Sequence, residues 1–142
     1  MIRPLTMRDL AACSSLYAET FNAPPWNEDW RVADAAQRLR DILATPRAHG
    51  VCASTADGAM TGFAVGRRER YGSEDHFLLQ EMCVDAALQR QGQGTALLEA
   101  LRGHLPDVRR WYLLTARDSA ASTFYERNGF RPAGRVGVFV WP

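Results

Sequence analysis

Residues 76–105 read HFLLQEMCVDAALQRQGQGTALLEALRGHL, and this stretch decides the fold. Its first part, 76–84, is mostly apolar and predicts a central strand. A helix is predicted from about 92 to 105, because leucines recur there at helical spacing. The sequence Gln89-Arg-Gln-Gly-Gln-Gly94, called here the phosphate loop, joins the two. A strand, a glycine loop and a helix in this order are typical of an anion site at a helix N-terminus.

The phosphate loop has the chemistry that a pyrophosphate needs. The first amides of a helix lack intrahelical partners, and the helix dipole is positive there. Gly92 and Gly94 carry no Cβ that would hold a phosphate away, and Arg90 adds positive charge. A Walker loop would need Gly-Lys-Ser/Thr, and a dinucleotide fingerprint would need glycine in place of Leu97, so both are excluded. An ordinary glycine turn is the alternative, which the adjoining strand and helix disfavour.

The rest of the chain supplies further strands and helices around this core. A capping box at Thr6–Asp9 begins a helix, Pro24-Pro25 ends it, and Asp57-Gly58 predicts a hairpin turn. The predicted strands are 2–5, 51–55, 60–67, 76–84, 110–115 and 136–141, and the other predicted helices are 30–44 and one that Asp118 caps and Gly129 ends. The order β-α-α-β-β-β-α-β-α-β predicts one α/β domain over 1–142, with a mixed sheet flanked by helices.

The composition of the chain argues against several classes of function. The chain has 142 residues, 46% of them hydrophobic, and a formal net charge of +1, which argues against electrostatic binding to nucleic acid or a membrane. Its beginning does not resemble a secretory signal, and no stretch has the roughly 20 apolar residues of a membrane span. The cysteines Cys13, Cys52 and Cys83 form no CxxC pair, which predicts free thiols in the cytoplasm. His49, His76 and His104 show no metal-ligand spacing, so we expect no metal.

A second motif follows the phosphate loop, separated from it by the strand predicted at 110–115. It reads Asp118-x-x-Ala121-x-x-Phe124-Tyr125-x-x-x-Gly129-Phe130. Together the two motifs resemble the GNAT superfamily of N-acetyltransferases, whose patterns are Gln/Arg-x-x-Gly-x-Gly/Ala and Asn-x-x-Ala-x-x-Phe-Tyr-x-x-x-Gly-Phe. Asp118 replaces the family's Asn, and its carboxylate would repel a nearby phosphate. The resemblance covers residues 77–130 tightly and implies transfer of acetyl from acetyl-CoA to an amine.

The resemblance also implies which residues hold acetyl-CoA. In relatives the strand before the phosphate loop binds the pantetheine arm through its main chain, and the loop binds the pyrophosphate. The implied cofactor-binding residues are Met82, Cys83, Val84, Gln89, Arg90, Gln91, Gly92, Gln93, Gly94, Thr95, Asp118 and Tyr125.

Three side chains are candidates for the chemistry. Glu81 lies inside an apolar strand, where acids are depleted, and we predict that it is the general base; an exposed or ion-paired carboxylate is the alternative. By resemblance, Tyr125 would protonate the leaving thiolate, unless it is only a core aromatic. Cys83 could be a nucleophile, but no visible neighbour lowers its pKa, so a core role and direct transfer in a ternary complex are favoured.

The loop 24–30, called here the tryptophan loop, is the candidate acceptor site. Trp26, Glu28, Asp29 and Trp30 would join Glu81 there. Aromatic rings with carboxylates suit a small cationic amine, such as a polyamine or an aminoglycoside. Alternatively, the tryptophans pack the second helix onto the sheet.

Two other functions and one interface stay open at this stage. The chain could acetylate proteins or peptides, or it could be a non-catalytic acyl-CoA sensor. Residues 136–141 predict an apolar strand that is either a core strand or the edge of a homodimer, and we favour the dimer.

Overall fold

The computed structural model describes residues 1–142 and is built on one five-stranded sheet in the order β1-β2-β3-β4-β5. All neighbouring strands are antiparallel except β4 and β5, which are parallel. The strands are β1 (Ile2–Pro4), β2 (Ala48–Ser54), β3 (Met60–Tyr71), β4 (Glu74–Val84) and β5 (Arg110–Tyr112). The predicted α/β class with a mixed sheet is therefore confirmed.

Four helices cover the two faces of this sheet. They are α1 (Leu10–Asn22), α2 (Val32–Leu43), α3 (Gln93–Gly103) and α4 (Ala120–Arg127). One core cluster joins α1 and α2 to one face, and a second joins α3 to the other, with the aromatic residues of α4 packed beside it. None of the helices combines the length and the apolar character needed to cross a bilayer.

A β-bulge interrupts the pairing of β3 with β4. Val65 lies opposite Glu81 and Gly66 lies opposite Leu79, so Gln80 is an extra residue on β4. The backbone of β4 comes unusually close to β3 at this point. A Cβ on Gly66 would lie 1.9 Å from the carbonyl oxygen of Leu78, so only glycine fits.

The bulge changes which face of the sheet the later residues of β4 occupy. Side chains alternate along a strand, so without it Phe77, Leu79 and Glu81 would share one face. Phe77 and Leu79 pack in the cluster with α3, whereas Cys83 packs in the cluster with α1 and α2. The extra residue therefore moves Glu81 to the face that α1 and α2 cover.

The predicted last strand does not form. Residues 131–142 contain no helix or strand, and the apolar side chains from Val136 to Trp141 are exposed. Strand propensity mostly reflects how well a side chain fits a half-buried sheet surface, and this segment has no neighbour in its own chain. The segment 136–141 is thus neither a core strand nor a paired edge within one copy.

Three boundaries also differ from the prediction. The strands predicted at 60–67 and 76–84 extend toward each other as β3 and β4, so only a turn at Gly72 and Ser73 separates them. β5 ends at Tyr112, since it pairs with β4 over only three residues. Asp118 does not cap α4; instead, Ser119 Oγ accepts from the Ser122 amide at 3.1 Å and Ser122 Oγ accepts from the Ser119 amide at 2.9 Å.

Candidate active site

A cleft of about 640 Å³ opens where β4 and β5 separate. The strands pair only as far as Leu78 and Tyr112, and the segments that follow these residues both line the cleft. The floor is 78–84 of β4, one wall is 113–116, and α1 with the tryptophan loop closes the other side. Tyr125 of α4 also lines the cleft. The cleft therefore joins the predicted cofactor strand to the predicted acceptor loop.

Glu81 lies on the cleft floor with its side chain only 11% exposed. Its Oε1 atom accepts a hydrogen bond from Arg38 Nε at 2.6 Å and another from the Tyr17 hydroxyl at 3.2 Å. Tyr17 comes from α1 and Arg38 from α2, on the face to which the bulge turns Glu81. Glu81 is therefore not an exposed, freely solvated carboxylate. It is ion-paired with Arg38 in this structure.

The environment of Glu81 raises its affinity for a proton. Burial raises the pKa of Glu81 above its ordinary value, and the hydrogen bonds from Arg38 and Tyr17 oppose the shift without cancelling it. Arg38 is 47% exposed, so water screens much of its charge. A carboxylate with a raised pKa suits general-base chemistry near neutral pH.

Tyr125 supplies a protonated phenol to the same cleft. It packs between Phe124 and Phe130, with ring centroids 5.2 Å and 5.6 Å away. Burial, and to a lesser degree the charge of Glu81, raises the pKa of Tyr125 to about 12. The hydroxyl therefore keeps its proton at neutral pH and can donate it. The structure thus shows the packing role of Tyr125, and its role as the acid stays a prediction.

Cys83 is a buried thiol on the α1 side of β4. It is 3% exposed, and its Sγ faces the carbonyl oxygen of Leu16 at 3.8 Å. Burial raises the pKa of Cys83 to about 12, so the thiol stays protonated at neutral pH. These properties match a core side chain rather than a nucleophile.

The backbone of β4 from Leu79 to Val84 has a free edge on the β5 side. No strand pairs with this edge beyond Leu78, so its main-chain groups face the gap. Gln89 lines the same gap and its Nε2 donates to the Val84 carbonyl oxygen at 3.1 Å. Such an edge can bind an extended ligand arm by strand-like hydrogen bonds, as expected for Met82, Cys83 and Val84.

The phosphate loop stands at the N-terminus of α3, as predicted. Gly92 immediately precedes the helix with φ 82°, and a Cβ there would meet nothing within 4 Å, so the loop is open to solvent. Gly94 has a different role, because a Cβ there would lie 3.0 Å from the ring of Phe124. Gly94 thus allows α3 and α4 to pack closely. The exposed side chains of Arg90 and Gln91 do not line the cleft.

The tryptophan loop brings three of its four candidate residues into the cleft. Trp26, Glu28 and Trp30 line it, whereas Asp29 is exposed and does not. Glu28 Oε1 accepts from Trp30 Nε1 at 2.7 Å, and Trp30 meets the ring of Tyr17 edge-on at 5.0 Å. The tryptophans therefore both pack and form a wall, and the expectation for Asp29 is corrected.

One predicted cofactor-binding residue lies outside the cleft, and two residues that contact Glu81 were not predicted. Asp118 is exposed, with φ 52°, and lies outside the cleft lining. Tyr17 and Arg38 were missed as site residues. Tyr17 belongs to the apolar face of α1, which predicts only packing. Arg38 occupies an ordinary helix position, so nothing in the sequence marks it as a site residue. The bulge turns Glu81 toward Tyr17 and Arg38, and its one sequence signal is Gly66 at the end of an apolar run.

A family model described as an acetyltransferase (GNAT) domain matches residues 47–132 of the chain. This range contains the cleft floor, the phosphate loop and α4. No curated protein sequence matches the chain.

Solved structures with the same fold share little sequence with this chain. One is an aminoglycoside acetyltransferase from an uncultured soil metagenomic sample, in complex with sisomicin. It is 17% identical to this chain with a TM-score of 0.74, and the match covers 100% of this chain and 95% of the metagenomic protein. An aminoglycoside N-acetyltransferase in complex with CoA is 19% identical, with a TM-score of 0.74 and coverages of 99% and 93%. A ribosomal-protein-alanine N-acetyltransferase from Brucella melitensis biovar Abortus 2308 is 15% identical, with a TM-score of 0.74 and coverages of 99% and 98%.

Proposed function

The chain belongs to the GNAT family of acetyltransferases, and on that premise we propose that it transfers acetyl from acetyl-CoA directly to a primary amine of a small cationic molecule. Family membership makes the chain an acyltransferase rather than a sensor. The observation that carries the proposal is Glu81, a shielded carboxylate with a raised pKa on the floor of a cleft between the tryptophan loop and the open edge of β4.

The chain offers acetyl-CoA two complementary surfaces. The unpaired edge of β4 at Met82, Cys83 and Val84 would hold the extended arm, and the amides that begin α3, with residues 89–95, would hold the pyrophosphate. Bound there, acetyl-CoA supplies an acetyl group activated as a thioester. We assign no donor contact to Asp118, because its carboxylate is exposed outside the cleft lining.

The proposed reaction uses Glu81 and Tyr125 as a base and acid pair. Glu81 takes a proton from the acceptor ammonium, directly or through water, and the neutral nitrogen attacks the thioester carbonyl carbon. The new C–N bond forms and the C–S bond breaks while the Tyr125 hydroxyl protonates the departing sulfur. The second proton lost by the nitrogen restores the phenol. A main-chain N–H of the β4 edge would stabilise the oxyanion between these steps.

The lining of the cleft supports a cationic acceptor. Among the residues that line it, the carboxylates of Glu28 and Glu81 outnumber the single guanidinium of Arg38. Trp26 and Trp30 present aromatic rings beside Glu28, and such rings attract a cation by roughly 0.5–2 kcal/mol. A polyamine or an aminoglycoside offers the amine and the additional positive charge that this lining suits.

The direct test is release of CoA from acetyl-CoA across an amine panel. The panel contains polyamines, aminoglycosides, amino acids and short peptides, and the thiol signal is corrected for the protein's three free cysteines. We expect turnover with the polyamines or the aminoglycosides. Turnover with peptides alone would replace the proposal by protein or peptide acetylation.

The tryptophan loop provides a matched pair for testing acceptor charge. Glu28→Gln keeps an oxygen that can accept from Trp30 but removes the charge, so the acceptor KM should rise, by roughly tenfold for a lost ionic contact. Asp29→Asn removes a neighbouring charge outside the cleft and should leave KM unchanged. If both variants and the wild type have equal KM values, the charge of Glu28 does not contribute to acceptor binding.

A further inference from the structure

The two hydrogen bonds that hold Glu81 both end on the same carboxylate oxygen. Oε1 accepts from Arg38 Nε at 2.6 Å and from the Tyr17 hydroxyl at 3.2 Å, whereas Oε2 accepts from no group of the chain. Each carboxylate oxygen has about two lone pairs, so Arg38 and Tyr17 together occupy those of Oε1. The lone pairs of Oε2 are therefore left for a proton that arrives in the cleft, which Glu81 lines.

The two donors differ in how firmly they are held. Tyr17 is 4% exposed, and its ring packs against Phe21 with centroids 4.6 Å apart and edge-on against Trp30 at 5.0 Å. Arg38 extends from the surface of α2, and 47% of its side chain is exposed. The terminal torsion of a glutamate side chain is broad, so one orientation is kept only by a hydrogen bond from a fixed group. Tyr17 is that fixed group.

The packing of Tyr17 also sets where Glu81 lies relative to the tryptophan loop. Trp30, whose ring Tyr17 contacts, donates through Nε1 to Glu28 Oε1 at 2.7 Å. A continuous row of contacts thus runs from the carboxylate on the cleft floor to the carboxylate on the acceptor wall. A general base must lie within about 2.6–3.2 Å of the group whose proton it takes, so the place of Glu81 relative to this wall affects the rate.

We propose that Tyr17 is a positioning residue, which holds Glu81 by Oε1 so that Oε2 faces the bound amine and takes its proton. This role rests on the proposed function, in which Glu81 is the base. Burial, and to a lesser degree the charge of Glu81, raises the pKa of Tyr17 above its ordinary value. The phenol therefore keeps its proton at neutral pH and remains a donor to Glu81 throughout the reaction. Tyr17 acts through Glu81 and does not touch the amine.

Tyr17→Phe tests this role, because it removes the hydroxyl but keeps the ring against Phe21 and Trp30. With the best acceptor of the panel, kcat should fall by about tenfold, since a hydrogen bond to a charged group is lost. KM for acetyl-CoA should stay within about twofold of the wild type. Tyr71→Phe is the matched control, because Tyr71 is 70% exposed at the end of β3 and should not affect kcat.

A double-mutant cycle shows whether Tyr17 acts through Glu81. Groups that act as a unit have non-additive effects, so Tyr17→Phe should change kcat by less than about twofold when Glu81→Gln is already present. A residue that only supports the fold would cause the same loss in both backgrounds. Tyr17 is buried, and circular dichroism of each variant checks that it folds.

The pKa of Glu81 gives a second measurement that needs no turnover. The hydrogen bond from Tyr17 lowers the pKa of Glu81, so carbon-13 NMR should show the Glu81 carboxyl titrating at higher pH in Tyr17→Phe than in the wild type. This measurement separates the two proposals. Silence across the amine panel would refute acetyl transfer, whereas an unmoved pKa of Glu81 would refute the contact with Tyr17.

Two kinetic outcomes would also overturn the positioning role of Tyr17. One is a kcat that Tyr17→Phe leaves unchanged, and the other is a loss that is equally large with and without Glu81. Full activity in Glu81→Gln would refute the base of the proposed function, and the role of Tyr17 with it.

Discussion

Two carboxylates lie on the same strand, β4, and are almost equally shielded, but they differ in the number of cations that surround them. Asp75, near the start of β4, has 9% of its side chain exposed and pairs with Arg47, Arg68 and Arg70. Glu81 lies six residues later, about 20 Å along the strand. It has 11% of its side chain exposed and pairs with one cation, Arg38.

The number of partners decides the protonation of each carboxylate. Burial acts to raise both pKa values, but hydrogen bonds from Arg68 and Arg47 hold the pKa of Asp75 below its ordinary value. The pKa of Glu81 stays above its ordinary value, because Arg38 and Tyr17 compensate only in part. Asp75 is thus locked as an anion inside a cluster, whereas Glu81 can exchange a proton with whatever enters the cleft. Burial alone does not separate a structural carboxylate from a reactive one.

The largest effect should come from Glu81→Gln. The amide keeps the shape of the side chain but cannot accept a proton, so kcat/KM should fall by roughly 100- to 10,000-fold. The measurement is CoA release with the best acceptor of the panel. Asp75→Asn is the control on the same strand, and its kcat/KM should stay within about twofold of the wild type. Equal losses in the two variants would mean that fold damage, rather than base chemistry, explains the result.

A smaller loss is expected from Tyr125→Phe. Removal of the hydroxyl takes away the acid but keeps the ring between Phe124 and Phe130, so kcat should fall by about 100-fold. Tyr112→Phe is a matched control, because the pKa of Tyr112 is also raised to about 12 and its hydroxyl bonds to Glu69 outside the cleft. If kcat is unchanged in Tyr125→Phe, another group or water protonates the leaving sulfur.

Removing Arg38, the single cation beside Glu81, should make the pKa of Glu81 differ even more from that of Asp75. Arg38→Gln takes away the charge that holds the pKa of Glu81 down, so the acidic limb of the kcat/KM profile should move to higher pH by about one unit. Arg38→Lys keeps the charge and should leave the limb near its wild-type position. A limb that does not move in Arg38→Gln would assign it to another group.

Local sequence signals were enough for much of the fold and for part of the site. The phosphate loop follows from strand, glycine and helix signals that are adjacent in the chain, and Glu81 stands out as an acid in an apolar strand. The partners of Glu81 could not be predicted this way. Tyr17 and Arg38 reach it only because Gln80 bulges, which depends on the register of β4 against β3. The strand predicted at 136–141 failed for the same reason, because strand propensity acts only beside a neighbouring strand, and local sequence does not show whether one is present.

The smallest expected effect is on stability, and it has opposite signs at the two carboxylates. The pKa of Asp75 is lowered on folding, so its contribution to stability is present above its unfolded pKa and is lost as the pH falls through the folded value. Asp75→Asn should therefore lower Tm at pH 7, by about 2–5 °C, and the difference should shrink under acid conditions.

The pKa of Glu81 is raised on folding, so the sign is reversed at this position. Its carboxylate disfavours folding once the pH exceeds the unfolded pKa, and Glu81→Gln removes that cost. The variant that loses the most activity should thus melt at or above the wild-type temperature at pH 7, and below pH 4 the two curves should coincide. Thermal unfolding of the wild type and both variants from about pH 3 to pH 8 measures this. A Glu81→Gln protein that melts well below the wild type at pH 7 would make Glu81 a structural anion like Asp75, and the loss of activity would then no longer identify a base.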